Sequence, residues 1–179
     1  MRFKFCPKCG RELVEKDSWD EGGVPYCVVD DIMYFETPIP CVIVAVVKDD
    51  KILLLKQSYI FKNSKVLLSG YVTNGESVEE SVYREVKEET GIKVCDIKYL
   101  GSEYLPSREI IMLTFIAKYV EGEIIKSSEV EWADWSNIED ALCEMCEDEI
   151  GKRVVRKVLK EINYLGEEAC KCDTENFKV

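Results

Sequence analysis

The stretch GYVTNGESVEESVYREVKEETGI, residues 70–92, constrains this chain more than any other segment. Ser77 and Glu80 have the spacing of a capping box, which predicts that a helix begins at Ser77. Gly91 is expected to end this helix, because glycine adopts the left-handed conformation found just past many helix ends without strain. The segment is therefore predicted to be a helix between two loops.

Four glutamates in this stretch, Glu76, Glu85, Glu88 and Glu89, suit cation binding better than core packing. At about 100° per residue, Glu85 and Glu89 fall on the same side of the helix as an apolar stripe, with Glu88 near its edge. Buried carboxylates are unfavourable unless a cation compensates them, and hard cations prefer oxygen ligands. The stripe that marks the buried face consists of Val78, Val82 and Val86.

A surface helix whose glutamates face water is the competing interpretation for any three glutamates at this spacing. The complete pattern is much more specific, because every defined position of the Nudix box is present. These positions are Gly70, Glu76, Arg84-Glu85-Val86, Glu88-Glu89 and Gly91-Ile92. The chain therefore resembles a Nudix hydrolase.

This resemblance implies an α/β fold, a Nudix α/β/α sandwich around a mixed sheet, with the box as a loop-helix-loop at its centre. The implied reaction is Mg²⁺- or Mn²⁺-dependent hydrolysis of a nucleoside diphosphate linked to another group. The resemblance implies that Glu85 and Glu89, at the matching positions of the box, are inner metal ligands. It also implies that Glu88 is a ligand or the base that deprotonates the water. Glu76 and Arg84 are supporting members of the catalytic set.

The N-terminal segment has the form of one half of a zinc ribbon. Cys6 and Cys9 flank Pro7-Lys8, and Gly10 permits the turn that directs both sulfurs at one ion. The second half is incomplete, because Cys27 is followed by Asp30 where a fourth cysteine would stand. A site of three cysteines and one aspartate, more labile than four thiolates, is the favoured interpretation. A ribbon that folds without metal and an incidental set of cysteines are the alternatives.

A cysteine ribbon directly ahead of a Nudix domain is similar to the NADH pyrophosphatase branch, which is also linked to removal of NAD caps from RNA. The segments YFETPIPCVIVAVVKDDKILL, LLSGYV and SEVEWADW match that branch. By position, Glu129 corresponds to a metal ligand outside the box, and the carbonyl of Ser69 to a backbone ligand. Phe35 and Tyr71 correspond to aromatic residues near the substrate. Packing in the core is the alternative interpretation of both aromatic residues. For Glu129, the alternative is a solvated position on the surface.

One segment departs from this branch, which carries Ser-Gln-Pro-Trp-Pro-Phe-Pro-any-Ser after the box. At the matching distance this chain has SEYLPSREI, residues 102–110. In that branch this segment forms a wall of the substrate pocket. Here Leu105 replaces the tryptophan and Tyr104 is a candidate substitute for it, while Glu103 and Arg108 change the charge of the wall. NADH or NAD⁺ is the expected substrate, while ADP-ribose, a nucleotide sugar and a dinucleoside polyphosphate stay open as alternatives.

Composition narrows the remaining choices. A net charge of −11 argues against a broad nucleic-acid-binding surface, although a small nucleotide held through metal ions, or the NAD cap of an RNA, stays compatible with it. The chain has no histidine, which excludes histidine-based catalysis. It has neither a membrane-spanning apolar run nor an apolar signal region at its start, so a cytoplasmic location is expected. The resemblance also implies a homodimer.

The chain is expected to divide into a zinc-ribbon-like module at 1–36, a Nudix domain at 37–165 and a polar tail at 166–179. Four further cysteines could gather a second metal, with scattered thiols as the plainer interpretation: Cys143, Cys146, Cys170 and Cys172. The expected elements of the domain are two strands within 41–57, strands at 66–68, 96–100, 110–119 and 132–135, and a helical stretch at 138–165.

Two other classes of protein share the implied fold. An isomerase acting on isopentenyl diphosphate needs a catalytic cysteine and a different metal site. A non-catalytic ligand sensor tends to lose glutamates of the box. Because every box residue is present, hydrolysis is favoured over both.

Overall fold

The computed structural model describes residues 3–57 and 59–162. The chain forms two compact units, Met1–Pro38 and a second that starts at Ile39. The tail expected at 166–179, with Cys170 and Cys172, lies outside the described residues. Among the helices in the described ranges, none combines the length and the apolar character needed to span a membrane.

The first unit is a three-stranded antiparallel sheet preceded by a tight knuckle. Its strands follow chain order across the sheet. The amide of Gly10 donates to the carbonyl of Cys6 at 2.8 Å, and the amide of Cys6 donates to the carbonyl of Arg11 at 2.7 Å. Gly10 has a φ of 74°, which other residues adopt with strain. The strands are β1 (Val14–Ser18), β2 (Gly22–Cys27) and β3 (Ile32–Met33).

The second unit contains one mixed sheet. Its strands are β4 (Ile39–Lys48), β5 (Lys51–Lys56), β6 (Leu68–Tyr71), β7 (Lys93–Leu105), β8 (Ile110–Glu121) and β9 (Trp132–Asn137). The order across the sheet is β7-β8-β4-β5-β9, and β6 pairs with β4. Strands β4 and β8 are parallel, whereas the other pairs are antiparallel. The helices are α1 (Val78–Thr90), α2 (Ala141–Glu144) and α3 (Glu149–Glu161).

Alternate residues of β4 serve two separate cores. Val42 and Val44 belong to a cluster that includes Val82 of α1. Ile43, between them, belongs to a second cluster that includes Val154 of α3. Since successive side chains of a strand point to opposite faces, α1 and α3 cover opposite sides of the sheet. The α/β/α sandwich expected from the sequence is therefore confirmed.

Helix α1 has the limits that the sequence predicts. The Ser77 hydroxyl accepts from the Glu80 amide at 3.2 Å, and the Glu80 carboxylate accepts from the Ser77 amide at 2.7 Å. Gly91 ends the helix with a φ of 72°, and its amide donates to the carbonyl of Lys87. Both ends are thus set by local sequence, which fixes the position of every glutamate between them.

Three elements differ from expectation. Strand β7, Lys93–Leu105, extends beyond the strand expected at 96–100 at both ends. The helical stretch predicted at 138–165 is interrupted, because Asp148 caps α3 by accepting from the amide of Gly151 at 2.8 Å. The strand expected at 66–68 instead begins at Leu68, and Val66 forms a single bridge with Leu55. Because β6 begins at Leu68, residues 68–71 pair with β4, and the start of the box lies on the sheet.

Candidate active site

Arg84, near the middle of α1, binds three carboxylates. Its Nε and Nη2 donate to the two oxygens of Glu76 at 2.9 and 2.7 Å. Its Nη1 donates to Glu85 at 2.7 Å and to Glu88 at 3.1 Å. Nη2 also donates to the carbonyl of Tyr71 at 3.0 Å. One guanidinium thus ties the helix glutamates to the end of β6.

Glu76 is held from a second side by the loop that precedes α1. Its Oε1 accepts from the amide of Thr73 at 2.7 Å and from the Thr73 hydroxyl at 2.8 Å. The Arg84 guanidinium, followed by these donors, holds the pKa of the Glu76 carboxyl well below its usual range. Glu76 is therefore a charged clamp between loop and helix rather than a group poised to exchange protons.

Glu85 lies against the backbone of β6. A Cβ placed on Gly70 would fall 1.9 Å from Cδ of Glu85 and 2.2 Å from each of its carboxylate oxygens. Burial raises the pKa of Glu85, while Arg84 opposes the rise. Only glycine at position 70 leaves room for this carboxylate, which explains the first glycine of the box in steric terms.

Glu89 is the most buried of the four glutamates, with 7% of its surface exposed. Its Oε1 accepts a long hydrogen bond of 3.4 Å from Nε2 of Gln57, and its Oε2 is buried without a hydrogen-bond partner in the described part of the chain. Burial, followed by the charge of Glu85, raises the pKa of Glu89 to about 7. A buried carboxylate with an unsatisfied oxygen next to a second carboxylate fits a divalent cation.

Glu85 and Glu89 line a cavity of about 680 Å³. Its wall includes Ser69, Tyr71, Glu85, Glu89, Leu105 and Glu129, all of them proposed from the sequence as site residues. Glu88 is outside this wall, with 60% of its side chain exposed beside Arg84. The structure therefore gathers four of the five expected metal ligands, all but Glu88, with a candidate stacking ring and part of the expected substrate wall.

Two residues of the expected substrate wall do not line this cavity. Glu103 accepts from Nε of Arg153 at 3.0 Å and from Nζ of Lys157 at 2.9 Å, so it joins β7 to α3. Burial works to raise the pKa of Glu103, but Lys157 and Arg153 outweigh it and the pKa is lowered. Tyr104 is 55% exposed and likewise lies outside the wall, whereas Leu105 is part of it.

Sequence reasoning missed several residues of this site. Gln57, buried beside Glu89, carries no motif and follows β5 in the chain. Tyr59 lines the cavity with 67% of its surface exposed, and Asp148 lines its wall near the start of α3. An aromatic residue three positions past the end of a strand gives no distinctive signal, so only the folded arrangement identifies Tyr59.

The first unit brings together the four metal-binding candidates predicted from the sequence. The ligand atoms of Cys6, Cys9, Cys27 and Asp30 all lie within 4.8 Å of one another. Sγ of Cys9 lies 3.6 Å from Sγ of Cys27, and one oxygen of Asp30 lies 3.4 Å from the sulfurs of Cys6 and Cys27. The contact with Asp30 raises the pKa of the Cys9 thiol to about 12. Three sulfurs and one oxygen converging on one point suit a four-coordinate zinc site.

Phe35 belongs to the first unit, where it is 47% exposed and lines a small cavity with Tyr34.

The Cys146 thiol donates to the carbonyl of Cys143 at 2.7 Å. Cys143 is disulfide-bonded, so it is neither a ligand of the second metal site nor one of the scattered thiols expected from the sequence. Cys170 and Cys172 fall outside the described residues.

The family model described as the NUDIX domain matches residues 37–160. The chain belongs to the Nudix family. The match includes the whole of α1 and the strands that surround the cavity, so the Nudix box and the carboxylate site coincide.

Curated relatives of this Nudix chain include the NAD-capped RNA hydrolase NudC of several bacteria. The protein from Klebsiella pneumoniae is 35% identical over 139 residues, which is 76% of this chain and 52% of the relative. The protein from Pseudomonas aeruginosa is 36% identical over 140 residues, covering 78% of this chain and 49% of the relative. The chain thus spans about half the length of the curated relatives it matches. These similarities confirm the resemblance to the NADH pyrophosphatase-like branch.

Solved Nudix structures share the fold at lower sequence identity. A NUDIX hydrolase from Nitrosomonas europaea superposes with a TM-score of 0.73 at 18% identity, covering 90% of this chain and 93% of its own. The NUDIX domain of NrtR from Shewanella oneidensis, complexed with ADP ribose, gives a TM-score of 0.61 at 17% identity, covering 72% of this chain and 90% of its own. At these identities the similarity shows the fold.

Proposed function

We propose that this chain is a Mg²⁺- or Mn²⁺-dependent pyrophosphohydrolase that cleaves NADH or NAD⁺ to AMP and nicotinamide mononucleotide. The observation that supports it most directly is the convergence of Glu85, Glu89, Glu129 and Ser69 on one cavity. The similarity to NAD-capped RNA hydrolases supports the choice of a nicotinamide dinucleotide.

The carboxylates are suited to hold the metal. Glu89 has a buried oxygen without a partner among the described residues, and Glu85 fits against a position where only glycine leaves space. With Glu129 and the Ser69 carbonyl they offer an all-oxygen donor set, which Mg²⁺ and Mn²⁺ prefer. A bound cation would neutralise phosphate oxygens and lower the pKa of a water molecule.

Glu88 is the candidate base. It is exposed, and its contact with Nη1 of Arg84 restrains its carboxylate on the same face as the Arg84–Glu76 clamp. In this role Glu88 accepts a proton from the attacking water as the water oxygen bonds to phosphorus. The phosphoanhydride P–O bond then breaks and releases two monophosphates.

The cavity suits a dinucleotide. Its volume of about 680 Å³ lies within the usual range for ligand sites, and Tyr71, 52% exposed, offers a ring for a base or nicotinamide. We assign Phe35 to the substrate only by its correspondence with the family. Leu105 contributes an apolar surface to the same wall.

ADP-ribose, a nucleotide sugar or a dinucleoside polyphosphate is the second candidate substrate. It is favoured by the wall at residues 102–110, where Leu105 lines the cavity while Tyr104 does not and Glu103 is bound to α3. Residues 102–110 contribute no aromatic ring to the cavity, so this segment demands less of the group attached to the diphosphate than a nicotinamide clamp would.

We propose a structural zinc ion at Cys6, Cys9, Cys27 and Asp30, in a module of residues 1–36 ahead of a Nudix domain at 37–165. A cytoplasmic homodimer acting on free dinucleotides, and on NAD-capped RNA as a further substrate, follows the same branch. Equilibrium sedimentation of the full chain tests the dimer.

A product assay tests the proposed reaction. NADH, NAD⁺, ADP-ribose, diadenosine polyphosphates and UDP-sugars are each incubated with the protein and Mg²⁺ or Mn²⁺, and the products are separated by chromatography. We expect AMP and nicotinamide mononucleotide from the nicotinamide dinucleotides, and no product with Glu89→Gln. Preference for ADP-ribose or a nucleotide sugar would select the second candidate. Tight binding without turnover of any of them would instead support a sensor.

A further inference from the structure

Gln57 is buried beside the carboxylate site, with 1% of its surface exposed. Its Nε2 donates to Oε1 of Glu89 at 3.4 Å. Its own Oε1 and Oε2 of Glu89 are both buried, and neither has a hydrogen-bond partner among the described residues. Buried amide and carboxylate oxygens are rarely left unpaired, so this pair marks a place where a ligand or water completes the hydrogen bonding.

The backbone of Gln57 is fixed by a turn. Its carbonyl accepts from the amide of Ile60 at 2.9 Å and from the amide of Phe61 at 3.2 Å. The side chain therefore starts from a restrained position just past β5, and its amide is directed at Glu89 by the fold.

The same strand end holds the loop that carries Glu129. The carbonyl of Lys56, next to Gln57, accepts from the amide of Glu131 at 2.9 Å. Gln57 thus stands where the helix that supplies Glu89 and the loop that supplies Glu129 approach the end of β5. A side chain at this junction can set the relative placement of two candidate metal ligands.

We propose that Gln57 is a positioning residue of the metal site. Its Nε2 holds the Glu89 carboxylate in the orientation that a divalent cation requires, and its Oε1 accepts a hydrogen bond from a water molecule in the same buried space. The inference rests on the proposed function in one respect, because it takes Glu89 as a metal ligand. Partners of this kind change metal affinity by about 10- to 100-fold when they are removed.

Mn²⁺ binding tests the inference without reference to catalysis. Free Mn²⁺ is followed by electron paramagnetic resonance during titration of the full chain and of Gln57→Met, which keeps the side-chain length but removes both polar atoms. We expect affinity to fall by about tenfold or more. The control is Thr114→Val, which removes one buried hydrogen bond to the carbonyl of Gly101 elsewhere in the sheet. It should bind Mn²⁺ within about twofold of the native chain.

A second measurement follows the native chain, so its main readout does not depend on the folding of Gln57→Met. The side-chain amide resonances of Gln57 are followed by NMR during titration with Mg²⁺. We expect them to shift with saturation, and to stay in place in Glu89→Gln. Unchanged resonances during Mg²⁺ binding, or native Mn²⁺ affinity in Gln57→Met, would overturn the positioning role.

The two proposals can fail separately. If the native chain cleaves none of the dinucleotides while Gln57→Met weakens Mn²⁺ binding, the role of Gln57 stands and the substrate assignment is wrong. If the native chain cleaves NADH and Gln57→Met binds Mn²⁺ normally, the substrate assignment stands and the proposed role of Gln57 is wrong.

Discussion

The carboxyl carbon of Glu85 occupies space that a β-carbon at Gly70 would claim, with only 1.9 Å between the two positions. The carboxylate is also held by Nη1 of Arg84 at 2.7 Å. A side chain at position 70 would therefore displace the carboxylate from Arg84 and from the cavity together.

Gly70→Ala should leave the fold intact and abolish most of the activity. The Glu85 side chain is long enough to swing away, so we expect melting within about 5 °C of the native chain. Activity should fall by about 100-fold, because a ligand displaced by an ångström or more no longer supports the reaction. Turnover and thermal unfolding are measured side by side. Gly23→Ala, in the first unit, is the matched control, and full activity in Gly70→Ala would contradict the steric assignment.

Glu103→Gln should affect stability and not substrate binding. Lys157 and Arg153 lower the pKa of Glu103 below its ordinary value of 4.5 despite burial. The stabilisation is therefore complete above about pH 4.5 and is lost as the pH falls through the lower folded-state pKa. We expect a melting temperature about 2 °C lower than native at pH 7, a gap that closes in acid, and an unchanged KM. The exposed Glu123→Gln is the control. A raised KM with native stability would return Glu103 to the substrate wall.

Asp30→Cys should tighten zinc binding in the first unit. A fourth thiolate replaces the carboxylate oxygen that now lies 3.4 Å from two of the cysteine sulfurs. Thiolates are the softer ligands, so transfer of zinc to a colorimetric chelator should slow by about tenfold. Asp30→Ala should lower the zinc content measured by mass spectrometry, while Cys95→Ser should not. Equal zinc content in all four proteins would rule out Asp30 as a ligand.

Tyr71→Ala should raise the KM for NADH more than it lowers kcat. The ring is about half exposed at the cavity, whereas its backbone carbonyl is the part that binds Arg84. Loss of one stacking contact predicts a rise of about 3- to 10-fold. Tyr71→Phe should retain the native KM, as should Tyr83→Ala on the exposed side of α1. Steady-state kinetics that give a native KM for Tyr71→Ala would assign the base to another surface, with Tyr59 the first to examine.

The parts of the site that could be predicted from sequence depend on local spacing. Ser77 and Gly91 set the ends of α1, and helix geometry then places Glu85 and Glu89 inward. The knuckle around Cys6 and Cys9 is likewise local, and its partner Cys27 is recognisable by residue type. In each case the chemistry requires particular residues at short, fixed separations.

The rest depends on contacts that spacing does not encode. The contact between Gln57 and Glu89 joins the end of a strand to a helix, and neither residue signals the other. Simple alternation of side chains along β7 does not predict the direction in which Glu103 points. The pairing of β7 with β8 shifts register between Tyr99 and Gly101. A register shift changes which face the following residues present. Homologous position therefore indicated Leu105 at the cavity, where the fold places it, but did not indicate the ion pairs of Glu103 with Arg153 and Lys157.

The parallel pairing of β4 with β8 has a consequence for how the protein reaches its active form. Cys41 and Ile43 of β4 and Ile110 and Met112 of β8 all line the cavity, and Cys41 pairs with Met112 in that ladder. Contacts between residues so far apart in sequence form late, because the intervening chain must first be ordered. Helix α1 can acquire its caps early from local sequence. We therefore expect substrate binding to return in the slowest refolding phase, after most helical signal has recovered.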